Sequence, residues 1–268
     1  MNHNFKKHFG QNFLQSEYYL HEILNVINPT NQELILEVGP GDGSLTEKLI
    51  DSEATIISIE IDRTLYTGLK EKFLSLNKKN NWSLVEDDIL NLELNNFGAT
   101  KLVGNLPYNI SKKIISNFLN SNIETGVFLI QKEVAEDYSG KVPNSTSLAN
   151  IVQSFGSCEY LLTVPKKHFF PAPKVDGGLI KIVKNTDLNF ENRDKLIKFI
   201  HAMFASPRKT IGNNLKNYLS SFNENIGRDE IERILSNLQI KLTSRPQEIE
   251  FKNFIAIFEM ISKQSNDR

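Results

Sequence analysis

A chain of 268 residues with 40% hydrophobic and 24% charged side chains holds enough apolar material for a core, which excludes wholesale disorder. No apolar run reaches the ~18–20 residues of a membrane span, and Met1–Phe13 lacks the apolar stretch of a signal peptide, so a cytoplasmic protein is expected. The single cysteine, Cys158, excludes an internal disulfide and a cysteine metal cage and is expected to be a small buried hydrophobe. The net charge of −1 is unevenly spread: Pro165–Lys216 carries eleven basic residues against Asp176, Asp187, Glu191 and Asp194, about +7. A neutral total therefore hides a candidate basic face.

In chain order, strand-like runs at Leu34–Val38, Ala54–Glu60, Trp82–Glu86, Lys101–Gly104 and Gly126–Ile130 alternate with helix-like stretches. The helices are expected at Ser44–Ser52, Arg63–Leu76, Ser111–Leu119 and Lys132–Tyr138. Such alternation predicts a doubly wound α/β sheet. Cys158–Val164 and Gly178–Val183 read as a closing pair of strands that would put an antiparallel strand at the sheet edge. After Lys184 the pattern becomes helical only, at Asn192–Ala205, Thr210–Ser220, Asp229–Asn237 and Phe251–Lys263, with Gln264–Arg268 frayed. The expected division is a catalytic domain over 1–185 and a small all-helical domain over 186–268.

The first strand runs into Gly39-Pro40-Gly41-Asp42-Gly43, which lets the backbone turn sharply and a ligand approach closely. The spacing is not the dinucleotide G-x-G-x-x-G. Glu37 precedes the glycines, Glu60 ends the second strand and Asp88 follows the third. A carboxylate at Glu60 suits two ribose hydroxyls, and one at Asp88 suits an adenine amino group. This set favours S-adenosylmethionine (SAM), with NAD as the alternative.

Gly104-Asn105-Leu106-Pro107-Tyr108-Asn109-Ile110-Ser111 follows the fourth strand. An exocyclic adenine amine is a poor nucleophile because its lone pair is delocalised into the ring. The Asn105 side-chain oxygen and the Leu106 carbonyl could accept from its two N–H groups, with Pro107 fixing the turn and Tyr108 stacking on the base. His3, His8, His21, His168 and His201 have no ligand spacing, and no metal is expected.

Asn105–Ser111 resembles the motif of the rRNA adenine N6-dimethyltransferases. So do Phe9-Gly-Gln-Asn-Phe-Leu14, Leu129–Val134, Phe170–Asp176 and Arg208–Leu215, in the family's order along nearly the whole chain. The set is similar to the KsgA/RsmA-type 16S rRNA adenine N6-dimethyltransferases. The resemblance implies a Rossmann-like SAM-dependent methyltransferase sheet with a helical C-terminal RNA-binding domain. It further implies dimethylation of two adjacent adenosines in the 3′-terminal hairpin loop of 16S rRNA, in the assembling small subunit, by a cytoplasmic monomer. On that pattern Asn12, Leu14, Gly39, Glu60, Asp88 and Asn105 contact the cofactor. Asn105, Leu106 and Tyr108 hold the target base, and Phe169 supplies a second aromatic wall.

Pro207 and Gly212 stand where the family pattern carries arginines, which weakens phosphate binding there. Lys166, Lys167, Arg208 and Lys209 remain as phosphate contacts in a cleft between the two domains. Two rival readings share parts of this pattern: a dimethyltransferase acting on 23S rRNA, and, from another class, an RNA-binding assembly or transcription factor that keeps the fold without catalysis. Phe170–Asp176 with Arg208–Thr210 favours the 16S branch, and the complete Gly39, Glu60, Asp88 and Asn105–Tyr108 set favours catalysis.

Overall fold

The computed structural model describes residues 12–75, 81–185, 187–188, 192–221 and 228–266. Phe9–Gln11 of the N-terminal motif lie outside them. The chain divides into two compact units, residues 1–136 with 159–185, and residues 137–158 with 186–268. The expected single boundary after residue 185 therefore has a companion: a helical insertion before the last two long strands groups with the C-terminal helices.

The first unit opens with a two-residue strand β1 (Phe13–Leu14) and helix α1 (Glu17–Ile27). Then β2 (Leu34–Val38), α2 (Ser44–Asp51), β3 (Thr55–Glu60), α3 (Arg63–Ser75), β4 (Trp82–Glu86), β5 (Lys101–Asn105), α4 (Ser111–Asn120) and β6 (Thr125–Gln131) alternate. Helix α5 (Lys132–Ser139) and helix α6 (Ser147–Gln153) precede β7 (Gly156–Val164), the short β8 (Phe169–Phe170) and β9 (Gly177–Lys184). The seven long strands form one sheet in the order β4-β3-β2-β5-β6-β9-β7. From β4 to β6 neighbours are parallel, and β9 runs antiparallel to β6 from Thr125↔Val183 to Gln131↔Gly177. The antiparallel strand thus lies one place inside the edge, which β7 occupies.

The central strands are apolar without alternation because helices cover both faces. Ile35, Leu36, Ile56, Leu102, Val103 and Phe128 are fully buried. Helix α1 docks Leu20, Ile23 and Ile27, at i, i+3 and i+7, into the same core. β2 is flanked by β3 on one side and β5 on the other, so the strand order reverses there. Such a reversal opens a crevice at the carboxyl ends of the strands, where ligands bind in open α/β sheets.

The second unit is built on α6, α7 (Arg193–Met203), α8 (Ile211–Ser220), α9 (Arg228–Asn237) and α10 (Phe251–Asn266). Phe199 sits at its centre, 5.3 Å from the Tyr218 ring and 5.7 Å from Phe258. Thr210 caps α8 by accepting from the Asn213 amide. A Cβ on Gly212 would lie 2.7 Å from Leu242 Cδ1, so this position packs inward and offers no side chain to a polyanion. Cys158 is half-buried, not enclosed as expected: it takes the inward side of the alternation in β7, but β7 is an edge strand. Among the described residues no helix is long and apolar enough to cross a membrane.

Candidate active site

Four strand ends converge on one cleft of about 1010 Å³, open mouth included. β2 delivers the glycine loop, in which Gly39, Gly41 and Gly43 hold φ of +62°, +63° and +81°. That left-handed backbone favours glycine. A Cβ on Gly41 would meet the Phe13 ring at 2.8 Å, whereas one on Gly39 would meet nothing within 4 Å. Gly39 lines the cleft, so open space lies over bare backbone where a ligand would need it.

β3 delivers Glu60. Its carboxylate accepts from the Asp62 amide at 2.8 Å and the Gly41 amide at 3.4 Å. Burial raises its pKa above the ordinary value against the pull of these bonds. Asp88 follows β4 and accepts from the Leu90 amide at 2.9 Å, capping a short 3₁₀ turn. One bond leaves a carboxylate most of its acceptor capacity.

β5 delivers Asn105. Its Nδ2 donates to the Asn12 carbonyl at 2.7 Å. A backbone carbonyl can only accept, so the amide orientation is fixed and Oδ1 is left as an acceptor. The Leu106 amide donates to the Leu129 carbonyl at 2.9 Å and the Ile110 amide to the Pro107 carbonyl at 3.1 Å, so the turn is held at both ends. The Tyr108 hydroxyl is buried with no hydrogen-bond partner, and burial, with the Asp176 charge second, pushes its pKa up to about 12. It stays a neutral phenol at any working pH.

The structure brings Asn12, Gly39, Glu60, Asp88, Asn105, Leu106 and Tyr108 to the cleft. It does not bring the other two. The Leu14 side chain is in the core and faces a smaller adjoining cavity, which leaves only its backbone for a cofactor contact. Phe169 is 4% exposed and packs in the same core, so it forms no second wall for a base. The reason is strand alternation: Phe169 pairs with Leu14, and both turn inward.

Sequence reasoning missed the apolar walls Ile59, Ile61, Leu65, Ile89 and Leu90. The signal in the sequence was the isoleucine directly after Glu60, and the structure leaves that Ile61 46% exposed. It also left Glu37 without a partner. Glu37 is buried, accepts from Thr46 Oγ1 at 2.8 Å and Ser58 Oγ at 2.7 Å, and titrates near 7 because burial disfavours its charge. Ser58 in turn accepts from Trp82 Nε1 at 3.0 Å. For SAM the residues fit: open backbone at Gly39, a carboxylate at Glu60, another at Asp88 and apolar walls between them.

The family model of the ribosomal RNA adenine dimethylases matches residues 2–257. The chain belongs to that family. Ribosomal RNA small subunit methyltransferase A of Fusobacterium nucleatum is 35% identical over 95% of this chain and 97% of its own. Its namesake in Legionella pneumophila (strain Corby) is 35% identical over 98% of this chain and 100% of its own. Among solved structures, a dimethyladenosine transferase from Plasmodium falciparum superposes with a TM-score of 0.80 at 23% identity, covering 94% of this chain and 98% of that one. The 23S rRNA methyltransferase ErmE superposes at 0.76, also at 23% identity, covering 94% of this chain and 100% of that one. The methyltransferase fold with a helical C-terminal region, and the class of enzyme expected from Asn105–Tyr108, agree with membership of the adenine dimethylases.

Proposed function

We propose that this adenine dimethylase transfers methyl groups to N6 of two adjacent adenosines in the 3′-terminal hairpin loop of 16S rRNA. The particle modified is the assembling small subunit, and the enzyme works as a cytoplasmic monomer. The small-subunit choice rests on the relatives at 31–35% identity, each named for that subunit. The observation that carries the chemistry is the forced orientation of Asn105.

SAM bound in the cleft supplies an electrophilic sulfonium methyl. Asn12, the Leu14 backbone, Gly39, Glu60 and Asp88 would hold it, Glu60 accepting from the ribose and Asp88 from the adenine. Asn105 Oδ1 and the Leu106 carbonyl accept from the two N–H groups of the target amine. These bonds favour a pyramidal nitrogen and free its lone pair for attack. As N6 gains the methyl it becomes cationic, and both oxygens stabilise that charge without reorganising. The proton then leaves to water, because a methylated arylammonium is acidic. Tyr108 covers one face of the base, which must leave its stack to reach the cleft. Exposed Lys166 and Lys167 in one unit, and Arg208 and Lys209 in the other, supply phosphate contacts.

Nucleoside analysis of RNA methylated by the protein tests the reaction. N6,N6-dimethyladenosine is the expected product; a monomethyl end product would overturn dimethylation, and methylation of another base would remove Asn105 and Leu106 from the proposed roles.

A further inference from the structure

A polar groove adjoins the cleft along helix α4. It encloses about 670 Å³, open mouth included, between that helix and the segment 90–95. Leu90 lines both the cleft and the groove, so the two meet at this residue. Asn91 and Asn95 line one side, and Asn117, Asn120 and Ser121 the other. Glu93 is its one charged lining residue among the described residues.

The asparagines keep hydrogen-bonding capacity of both kinds. Asn95 Oδ1 accepts from the Asn122 amide at 2.6 Å, which leaves its Nδ2 as a donor. Asn120 Nδ2 donates to the Ser116 carbonyl at 2.9 Å, which leaves its Oδ1 as an acceptor. The side-chain amides of Asn91 and Asn117 make no hydrogen bond among the described residues. Uncharged donors and acceptors with little apolar surface suit neither a phosphate nor an apolar protein anchor. They suit the edge of an unpaired base and its ribose, and an asparagine amide pairs bidentately with N6 and N7 of adenine.

Lys113 stands between cleft and groove. Ile110 lines the cleft, while Asn117 and Asn120 line the groove. Lys113, Asn117 and Asn120 recur at i, i+4 and i+7, on one face of α4, and Ile110 to Asn117 spans about 10 Å of helix axis. Lys113 is exposed, and its ammonium makes no hydrogen bond or ion pair among the described residues. A cation in the first turn opposes the helix dipole, so the helix itself gives no reason for this lysine.

We infer that the groove holds the adenosine adjacent to the one whose amine is in the cleft, with Lys113 on the phosphate that links them. This rests on the proposed substrate of two adjacent adenosines and deepens it. One base reacts at Asn105 and Leu106 while its neighbour is held by the asparagines. The strand must then shift by one nucleotide between the two dimethylations. The groove is filled by adenosine in one register and by the next nucleotide in the other, so the two adenosines depend on it unequally.

Methylation time courses on subsaturating small subunits that lack the two dimethyladenosines test it. Each adenosine is followed by tandem mass spectrometry of the loop fragment, with SAM titration as the folding control. The double variant Asn91→Ala, Asn117→Ala removes one amide from each wall, and its second change favours the helix. It is expected to slow one adenosine about tenfold and the other by less than about threefold, at unchanged SAM affinity. In filter binding, Lys113→Gln should lower the salt slope by up to about one unit, and Lys112→Gln, off the groove face, by clearly less. Wild-type rates in the double variant, equal slowing of both adenosines, or equal slopes in the two lysine variants overturn the groove assignment. If the wild-type protein methylates no small-subunit RNA, the substrate reading fails first and takes the groove with it.

Discussion

Asn105 Nδ2 donates to the Asn12 carbonyl at 2.7 Å, and that bond settles which of its atoms is left as an acceptor for a substrate. The residues are 93 positions apart, so the N-terminal motif and the fourth parallel strand build one catalytic feature between them. Asn105→Ala should lower single-turnover methyl transfer on the order of a hundredfold while SAM still binds, the usual loss for one preorganised group. Asn105→Asp should fare no better, because a carboxylate set against the Asn12 carbonyl leaves two acceptors facing each other. Rates within a fewfold of wild type in either variant would contradict the assignment.

Glu60→Ala should weaken SAM binding by roughly 1–3 kcal/mol, the range for hydrogen bonds to a charged group. Because burial raises the Glu60 pKa, its acceptor form is lost as pH falls through a value above the ordinary carboxylate range. SAM affinity should therefore drop on acidification earlier than an exposed carboxylate would cause. Glu60→Gln should flatten that pH profile, as followed by calorimetric titration.

Glu37 makes a stability prediction of definite sign. Its folded pKa is about 7 against 4.5 for the free group, so the folded protein keeps a proton that the unfolded chain has released. Its contribution is complete below 4.5 and is lost as pH rises through 7, about 3 kcal/mol in all. Glu37→Gln retains an acceptor for Thr46 and Ser58 without a charge to bury. The fall in melting temperature between pH 5 and pH 8.5 should be smaller in the variant by on the order of 5 °C.

Tyr108 carries a buried hydroxyl with no partner. Tyr108→Phe should leave stability unchanged or raise it by about 1 kcal/mol. Transfer should stay within a fewfold, since the ring remains to stack. Tyr108→Ala should cost at least about tenfold, read as loss of RNA affinity and rate together.

The parallel strands were legible because each is a short apolar run closed by turn residues, and the structure moves their ends by one residue at most. The site carboxylates were legible for the same reason: Glu60 and Asp88 follow directly from where those runs stop. Helix α1 was missed although Leu20, Ile23, Leu24 and Ile27 carry its period, since Tyr18 and Tyr19 blur the polar side. Helix α6 was missed because its burial includes Asn150, whose amide donates to Ser145 Oγ and the Thr146 carbonyl. A buried polar residue whose amide nitrogen is held by its neighbours gives no hydropathy signal. Phe169 was misplaced because β1 and β8 are two residues each, too short for alternation to show in sequence; only their register tells which phenylalanine turns inward.

The most direct measurement incubates the protein with labelled SAM and separated small and large ribosomal subunits from cells lacking these methyl groups. The account predicts label in the small subunit alone, four methyl groups per particle, all recovered as N6,N6-dimethyladenosine. Label in the large subunit, or small subunits left unlabelled by a protein that binds SAM, would contradict it.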